Sequence, residues 1–326
     1  MKILVVGGAG YIGSHMVKHL LRAGHSVVVA DNFSTGYRNA VPDCCACAEL
    51  DIADGDALNS LFAAHSFEVV FHFASFTQVG ESIEQPGKYY SNNLSATLIL
   101  LQTMLRFDVK RFIFSSTAAV YGNPQTTPID EDHPKQPINP YGRSKLMVEQ
   151  VLEDLDQAHG LKSVSLRYFN AAGADPEGAL GERHDPETHL IPLILQAASG
   201  RRSEITIFGN DYDTPDGTCI RDYIHVSDLV DAHARALDFI IEQKCSATFN
   251  LGNGTGFSVR QVIDAARRIT GKDIQVREAA RRAGDPARLV ADAHRARELL
   301  GWQPCNSSLE QIIEDAWHWE LQYPWN

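Results

Sequence analysis

The chain has few cysteines, no long apolar run and a shortage of basic residues, and each shortage closes off a class of function. Six cysteines among 326 residues cannot supply the dense disulfide framework of a small secreted domain. Cys44, Cys45 and Cys47 crowd together, yet a structural zinc site takes about four ligands in spaced pairs and no second pair follows. They read as small apolar residues of a strand, and no metal site is expected. No stretch approaches the roughly 20 apolar residues needed to cross a bilayer. The opening MKILVVGGAGYIG runs at once into glycines, so it reads as a first strand and not as a signal peptide. A soluble, cytoplasmic protein is expected. Twenty-nine Lys and Arg against 41 Asp and Glu leave a formal net charge of -12, which disfavours nucleic acids and anionic membranes as partners. A polyanionic ligand would have to meet locally placed positive charge.

What is present suits an enzyme-sized unit in two lobes: 44% hydrophobic and 21% charged residues, with no internal repeat and no low-complexity segment. The first half alternates β-rich runs (KILVVG, SVVVAD, EVVFHFA, KRFIFSS) with helical patterns, which implies a parallel sheet covered on both faces. VVFHF and FIFSS lack polar alternation, as expected of strands buried on both sides. Residues 140–159 read as a further helix and 162–173 as a further strand. Beyond Asn170 come long polar loops, DPEGALGERHDPETH and GNDYDTPDGT, of a length more typical of binding elements than of connectors. Ser258 with Gln261 and Ser308 with Gln311 have capping-box spacing and open two helical runs. The expected division is a nucleotide-binding lobe over 1–170, rejoined by about 222–256, and a smaller lobe over 171–326.

GGAGYIG follows a strand and opens a helix, the context in which a glycine fingerprint carries weight. Glycines let the backbone turn tightly and approach a pyrophosphate, while the helix N-terminus offers N–H groups and partial positive charge. Gly7, Gly10 and Gly13 fit these roles, although Gly8 also permits a G-x-G-x-x-G reading. Asp31 closes the second strand, where a carboxylate accepts hydrogen bonds from ribose hydroxyls and repels a 2′-phosphate, so NAD is favoured over NADP. The fold class expected is therefore α/β: a Rossmann-type doubly wound parallel sheet with a smaller mixed α/β C-terminal substrate lobe. Asp51-Ile52 and Phe73-Ala74 fall at strand ends, where ligands of such sheets collect.

Tyr141 and Lys145 are four apart in the helical run PYGRSKLMVEQ, which places both on one face. A lysine cation and a cationic nicotinamide both favour the phenolate of a tyrosine that otherwise titrates near ~10. Tyr141 could then take a proton from a sugar hydroxyl. Thr117 ends the fifth strand after Ser115 and Ser116, and its hydroxyl can orient a substrate hydroxyl toward Tyr141. A bare Tyr-x-x-x-Lys occurs on many helices by chance; here it follows a dinucleotide fingerprint and a hydroxyl-bearing strand end within one lobe.

GGAGYIG, FSSTAAVYG and Tyr141-x-x-x-Lys145 together resemble the extended short-chain dehydrogenase/reductases. Within that family, HFAS, VGES, YYSNN, NPYGRSKLMVEQ, LRYFNAAGA, FGNDYDTPDGTCIRDYIHV, FNLGNG and RRAGDPA are similar, in order, to the UDP-glucose 4-epimerases over almost the whole chain. The resemblance implies reversible C4 epimerisation of UDP-galactose and UDP-glucose through a transient 4-keto sugar, hydride held on tightly bound NAD, and Tyr141 as base. It implies NAD contacts at Tyr11, Ile12, Asp31, Asn32, Asp51, Ile52, Phe73, Ala74, Asn92, Tyr141, Lys145 and Phe169. UDP contacts are implied at Asn170, Leu190, Phe208, Arg221, Tyr223, Arg282 and Asp285, with arginine forks suited to a diphosphate. It further implies a homodimer through the helices near 86–107 and 140–159, and a place in galactose metabolism.

Four positions depart from the family. Thr117 stands where serine is usual and keeps the hydroxyl; Thr77 stands where some members have lysine; His189 takes a position that is Asn in some. Leu289 replaces a tyrosine beside the sugar, which could admit an N-acetyl group. Two rival activities lack their residues. A 4,6-dehydratase needs an Asp-Glu pair at the strand end, where this chain has Thr117-Ala118-Ala119, and a redox-sensing protein without catalysis would be expected to lack Tyr141 or Lys145.

Overall fold

Short runs of β-branched and aromatic residues become seven parallel strands in the computed structural model, which describes residues 1–282 and 285–323. They are β1 (Lys2–Val6), β2 (Ser26–Asp31), β3 (Ala46–Glu49), β4 (Val69–His72), β5 (Arg111–Thr117), β6 (Lys162–Tyr168) and β7 (Ala247–Leu251). Their order is β7-β6-β5-β4-β1-β2-β3, with every neighbouring pair parallel. Alternate side chains of one strand feed different cores. Ile3 and Val5 pack with Met16, Leu20, Leu229 and Ala236 of the helices Tyr11–Arg22 and Val226–Gln243. Leu4 and Val6 pack with Leu58, Leu100, Met104 and Val148 of Gly55–Ala64, Thr97–Arg106 and Pro140–His159. Burial on both faces is why these strands need no polar alternation. The strand order reverses between β1 and β4, the point at which a Rossmann-type sheet opens a crevice at its carboxyl ends.

The run 162–173, expected as one strand, is two. Lys162–Tyr168 stays in the main sheet, while Asn170–Ala172 leaves it to pair in parallel with Tyr223–His225. That break lets the chain leave the first lobe. The second lobe has its own core, built from Ile191, Ile194, Leu195, Val262, Ile263, Ile312 and Ile313 on the helices Leu190–Ser199, Val259–Thr270 and Leu309–Gln322. Its strands are short: Ile205–Phe208 pairs with Val276–Ala279, and Ile220–Arg221 lies between Phe257–Ser258 and Arg288–Leu289. Between the halves of this lobe, Val226–Gln243 and β7 run back to the main sheet.

The Ser258 capping box forms as its spacing predicts. At Ser308 only half forms: the hydroxyl accepts from Gln311 N, but the Gln311 amide turns to Asp315. The cysteine cluster is likewise only partly a strand: Cys47 lies in β3 and Cys45 is buried beside β2, whereas Cys44 is exposed. Among the described residues no helix is long and apolar enough to cross a membrane.

Candidate active site

Three glycines of the first βα turn do three different jobs. Gly7 has φ of 76°, a left-handed conformation that β-carbons disfavour, and a Cβ there would stand 2.5 Å from Ala74 N at the end of β4. At Gly13 a Cβ would stand 2.1 Å from the Gly7 carbonyl, so the helix can pack on the turn only without a side chain. A Cβ on Gly10 would meet nothing nearer than 3.5 Å. Packing does not demand Gly10; its openness leaves room for a ligand to approach the backbone. Gly10 also caps the helix Tyr11–Arg22 with no side-chain bond and no acidic residue follows in the first turn, so the N–H groups at Tyr11 and Ile12 face no competing carboxylate there. A Cβ on Gly8 would stand 2.9 Å from the Val29 side chain, so packing calls for a glycine there as well.

Around this turn stand the residues expected to line a dinucleotide. The buried Asp31 carboxylate accepts from Ala9 N and Phe33 N, both at 2.9 Å, which ties the glycine turn to the end of β2 and leaves lone pairs for a ribose. Burial raises its pKa and the two amides lower it. Asn32 donates to Asp51 at 2.9 Å, linking the ends of β2 and β3 beside the buried Ile52. Phe73 and Ala74 follow β4, with the Phe73 ring 5.0 Å from that of His233. Asn92 sits in a π-helical turn, Tyr90–Ala96, and its amide donates to Asn93 at 2.9 Å.

Tyr141 and Lys145 occupy the start of Pro140–His159, as expected. Asn139 caps that helix by accepting from Gly142 N at 2.8 Å. Gly142 fixes where Tyr141 points: a Cβ there would lie 2.5 Å from the Ala119 carbonyl, so glycine lets the helix press against the turn Ala118–Tyr121 that follows β5. The Tyr141 phenol thereby comes close enough to the Thr117 hydroxyl for that group to lower its pKa, and both side chains are buried.

Lys145 makes no direct bond to this phenol. Burial raises the pKa of Tyr141, and the nearby Thr117 hydroxyl lowers it. Burial also lowers Lys145 to about 7, against the pull of Glu149 one turn further on. Its ammonium is held by the Ser75 hydroxyl at 2.6 Å and the Ser115 carbonyl at 2.8 Å. It therefore reaches across the ends of β4 and β5 and does not bond to the phenol.

Beneath the pair lies a buried network that spacing did not reveal. Glu149 accepts both arms of Arg167, at 2.9 and 2.6 Å, and also the Ser116 hydroxyl. Arg167 in turn donates to Tyr121 at 2.9 Å, and Tyr121 donates to Asn250 of β7 at 2.6 Å. The only early signal was Glu149 itself, four residues past Lys145 on the same helix face.

The positions expected to hold the nucleotide gather in the second lobe. Arg221 donates to the Asp285 carboxylate at 2.9 Å and to the Pro286 carbonyl, while Asp285 N donates back to the Arg282 carbonyl. Arg282 stacks its guanidinium 3.9 Å from the Phe208 ring centre. Asn170 donates to the Asp222 carbonyl, Tyr223 is buried in its short strand, and Leu190 opens the helix Leu190–Ser199. Leu289 pairs with Arg221 and, with Phe169, packs on the Ala118–Tyr121 turn, joining this lobe to the catalytic strand end. Sequence reasoning missed Asp222, whose buried carboxylate accepts from Asn253 N, Gly254 N and Ala291 N at 2.7–3.0 Å.

Residues 3–252 match the NAD dependent epimerase/dehydratase family. The chain is 51% identical over 324 residues to the UDP-glucose 4-epimerase of Halalkalibacterium halodurans, covering 99% of this chain and 97% of that one. The chain belongs to the UDP-glucose 4-epimerase family. The crystal structure of the Brucella ovis UDP-glucose 4-epimerase in complex with NAD superposes with a TM-score of 0.95 at 48% identity, covering 98% of each chain. That of the Bifidobacterium longum UDP-glucose 4-epimerase with NAD+ and UDP gives 0.94 at 38% identity, covering 99% of each.

NAD is the cofactor of an epimerase of this family, and the open Gly10, the uncapped helix start and the Asp31 carboxylate fit it. A cavity of 510 Å³ lies elsewhere: Tyr37, Glu182, His184, Glu187 and Trp319 line it, and neither Tyr141 nor Lys145 does. A second cavity of 290 Å³ meets the glycine turn at Gly10, Tyr11 and Ser14. No metal site was expected from the sequence, yet Glu182, His184, Glu187 and His189 converge on the wall of the larger cavity.

Proposed function

We propose that this NAD-dependent UDP-glucose 4-epimerase works through Tyr141, with Thr117 and Lys145 as its partners. The observation that carries the proposal is the buried phenol of Tyr141 beside the Thr117 hydroxyl at the carboxyl end of the sheet, one helical turn from Lys145. As phenolate, Tyr141 takes the proton from the 4′-hydroxyl of the sugar as C4′ gives up its hydride, Thr117 orients that hydroxyl, and after the 4-keto sugar has turned over Tyr141 returns the proton to the oxygen as the hydride returns to C4′. Bound NAD would supply the cationic ring that accepts that hydride and gives it back, chemistry that the side chains lack. Three influences favour the phenolate against burial: the nearby Thr117 hydroxyl, the positive end of the helix that Asn139 caps, and that ring. Lys145, anchored on Ser75 and Ser115, would contact the cofactor from the same helix face as Tyr141.

UDP has to stay anchored while the sugar turns. Arg221, Arg282 and Asp285, drawn together on the second lobe, are proposed to hold it, with Phe208, Tyr223, Asn170 and Leu190 around them. The assignment of 171–326 as the UDP-sugar lobe follows. The six cysteines are free, which suits a reducing cytoplasm, and the side chains of Val79, Ile83, Ile138 and Met147 leave apolar surface near the helix Pro140–His159 for a second copy. A role in galactose metabolism is proposed on the same grounds as the substrate.

Tyr141→Phe tests the mechanism by interconversion of UDP-galactose and UDP-glucose. Loss of the proton acceptor should slow it by about 10²–10⁴-fold. Unchanged rates would remove Tyr141 from the chemistry, and a 4-keto-6-deoxy product from the wild type would replace epimerisation with dehydration. Rates on the N-acetylated UDP-hexosamines, set beside Leu289→Tyr, decide whether the smaller side chain widens the substrate range.

A further inference from the structure

The segment 182–189, Glu-Arg-His-Asp-Pro-Glu-Thr-His, lies outside the catalytic constellation, yet it brings two carboxylates and two imidazoles to one point. Glu182 Oε1 lies 3.2 Å from His184 Nδ1 and is also hydrogen-bonded to His189 Nδ1. Glu187 approaches the same two nitrogens at 3.6 and 3.7 Å. One donor atom from each of the four residues lies within 4.8 Å of every other. Donors bound at about 2.0–2.1 Å to a tetrahedral ion stand about 3.3–3.4 Å apart. Most of the imidazole–carboxylate edges measured here fall within a few tenths of an ångström of that, so small rotations of the side chains would suffice.

The surroundings hold the donors in place as they do in built metal sites. The amides of Thr188 and His189 donate to Glu187 Oε1 at 2.7 and 2.8 Å, which aims that carboxylate. The Trp319 indole donates to the Glu182 carbonyl at 3.0 Å, fixing the other end. Glu182 is buried, and its charge is not met by the adjacent Arg183, whose guanidinium stacks on Tyr37 and Tyr323. Two carboxylates and two neutral imidazoles balance one divalent cation. The 510 Å³ cavity, lined by Glu182, His184 and Glu187, gives such an ion a path in.

We propose that Glu182, His184, Glu187 and His189 form a site for one divalent transition-metal ion, zinc by donor type and geometry. The ion cross-links the loop that leads into the helix Leu190–Ser199 and makes the cavity wall rigid.

The test uses the purified holoenzyme, loaded with zinc chloride, freed of excess by gel filtration and assayed for zinc by elemental analysis, beside the His184→Ala/His189→Ala chain. About one more zinc per chain is expected in the wild type than in the double variant, and chelation should lower the thermal midpoint of the wild type alone by several degrees. Should the double variant fail to fold, Glu182→Gln keeps the shape of the site and should weaken zinc binding at least about tenfold. Equal zinc contents in wild type and a folded variant would overturn the proposal and leave the histidines as protonated partners of Glu182. X-ray absorption showing sulfur around the zinc would also overturn it, by placing the ion on the exposed Cys44, Cys245 or Cys305.

Discussion

The two lobes hold their functional side chains by different means. In the first, backbone meets backbone: Gly7 against Ala74, Gly13 against the Gly7 carbonyl, Gly142 against the Ala119 carbonyl. Side chains are then set by strand ends that cannot shift without a collision. In the second, short strands of two to four residues carry little rigidity, and carboxylates do the tying. The buried Asp222 accepts three backbone amides and the partly buried Asp216 gathers Thr218 and Ser258, while Asp228, on the helix Val226–Gln243 that packs in the first lobe, fastens Cys305, Asn306 and Ser307 to it. A site that positions a hydrogen for transfer gains from the first method; a site that grips a flexible nucleotide can rest on the second.

The comparison breaks most visibly at Asp222. Asp222→Ala would leave three amides without their acceptor at a cost of roughly 1–3 kcal/mol each, so a loss of at least ~3 kcal/mol is expected in denaturant unfolding. The Michaelis constant for UDP-galactose should rise with it. Next in size, Gly142→Ala should push the catalytic helix off the Ala119 turn. Misplacement of Tyr141 on that scale is expected to cost about 10²-fold in kcat, with the constant for UDP-galactose little changed. Should the two variants show the opposite split between kcat and KM, the distinction between the lobes fails.

A smaller effect sharpens the picture at Lys145. Its folded pKa, about 7, lies below that of the unfolded chain, near ~10.4. Between those values the unfolded chain binds the additional proton, so stability from this group rises with pH across the window and is lost as pH falls toward 7. In protein stripped of nicotinamide cofactor, Lys145→Met should remove a slope of up to ~1.4 kcal/mol per pH unit. An unchanged slope between pH 7.5 and 10, read from chemical unfolding at about five pH values, would mean that the amine is not desolvated as its burial implies.

What could be read in advance follows the same division. The placement of Gly7, Gly10 and Gly13 in one strand-to-helix turn, and of Tyr141 and Lys145 on one helix face, was legible because it depends only on spacing along a short stretch of chain. Glu149 with Arg167, and Asp222 with Gly254 and Ala291, were not, because their partners are joined by topology and nothing nearby announces them. Arg221 read alone suggests a surface ion pair, and it does pair with Asp285; only the resemblance gave that pair a ligand. The surroundings of Lys145 were not legible either. Spacing shows that it shares a helix face with Tyr141, but not that Ser75 and Ser115 hold the ammonium while burial acts on both groups.

The seventh strand of the main sheet is synthesised only after much of the second lobe. Until Ala247–Leu251 has left the ribosome, β6 is a bare edge with unpaired amides and carbonyls, open to the wrong neighbour. The same strand carries Asn250, which anchors Tyr121 below the catalytic turn and donates its own amide to Glu131. A nascent chain can therefore own every residue of the glycine turn and the catalytic helix and still lack a finished floor beneath them. The floor of the catalytic turn and the closing strand of the sheet come from one and the same short stretch of chain.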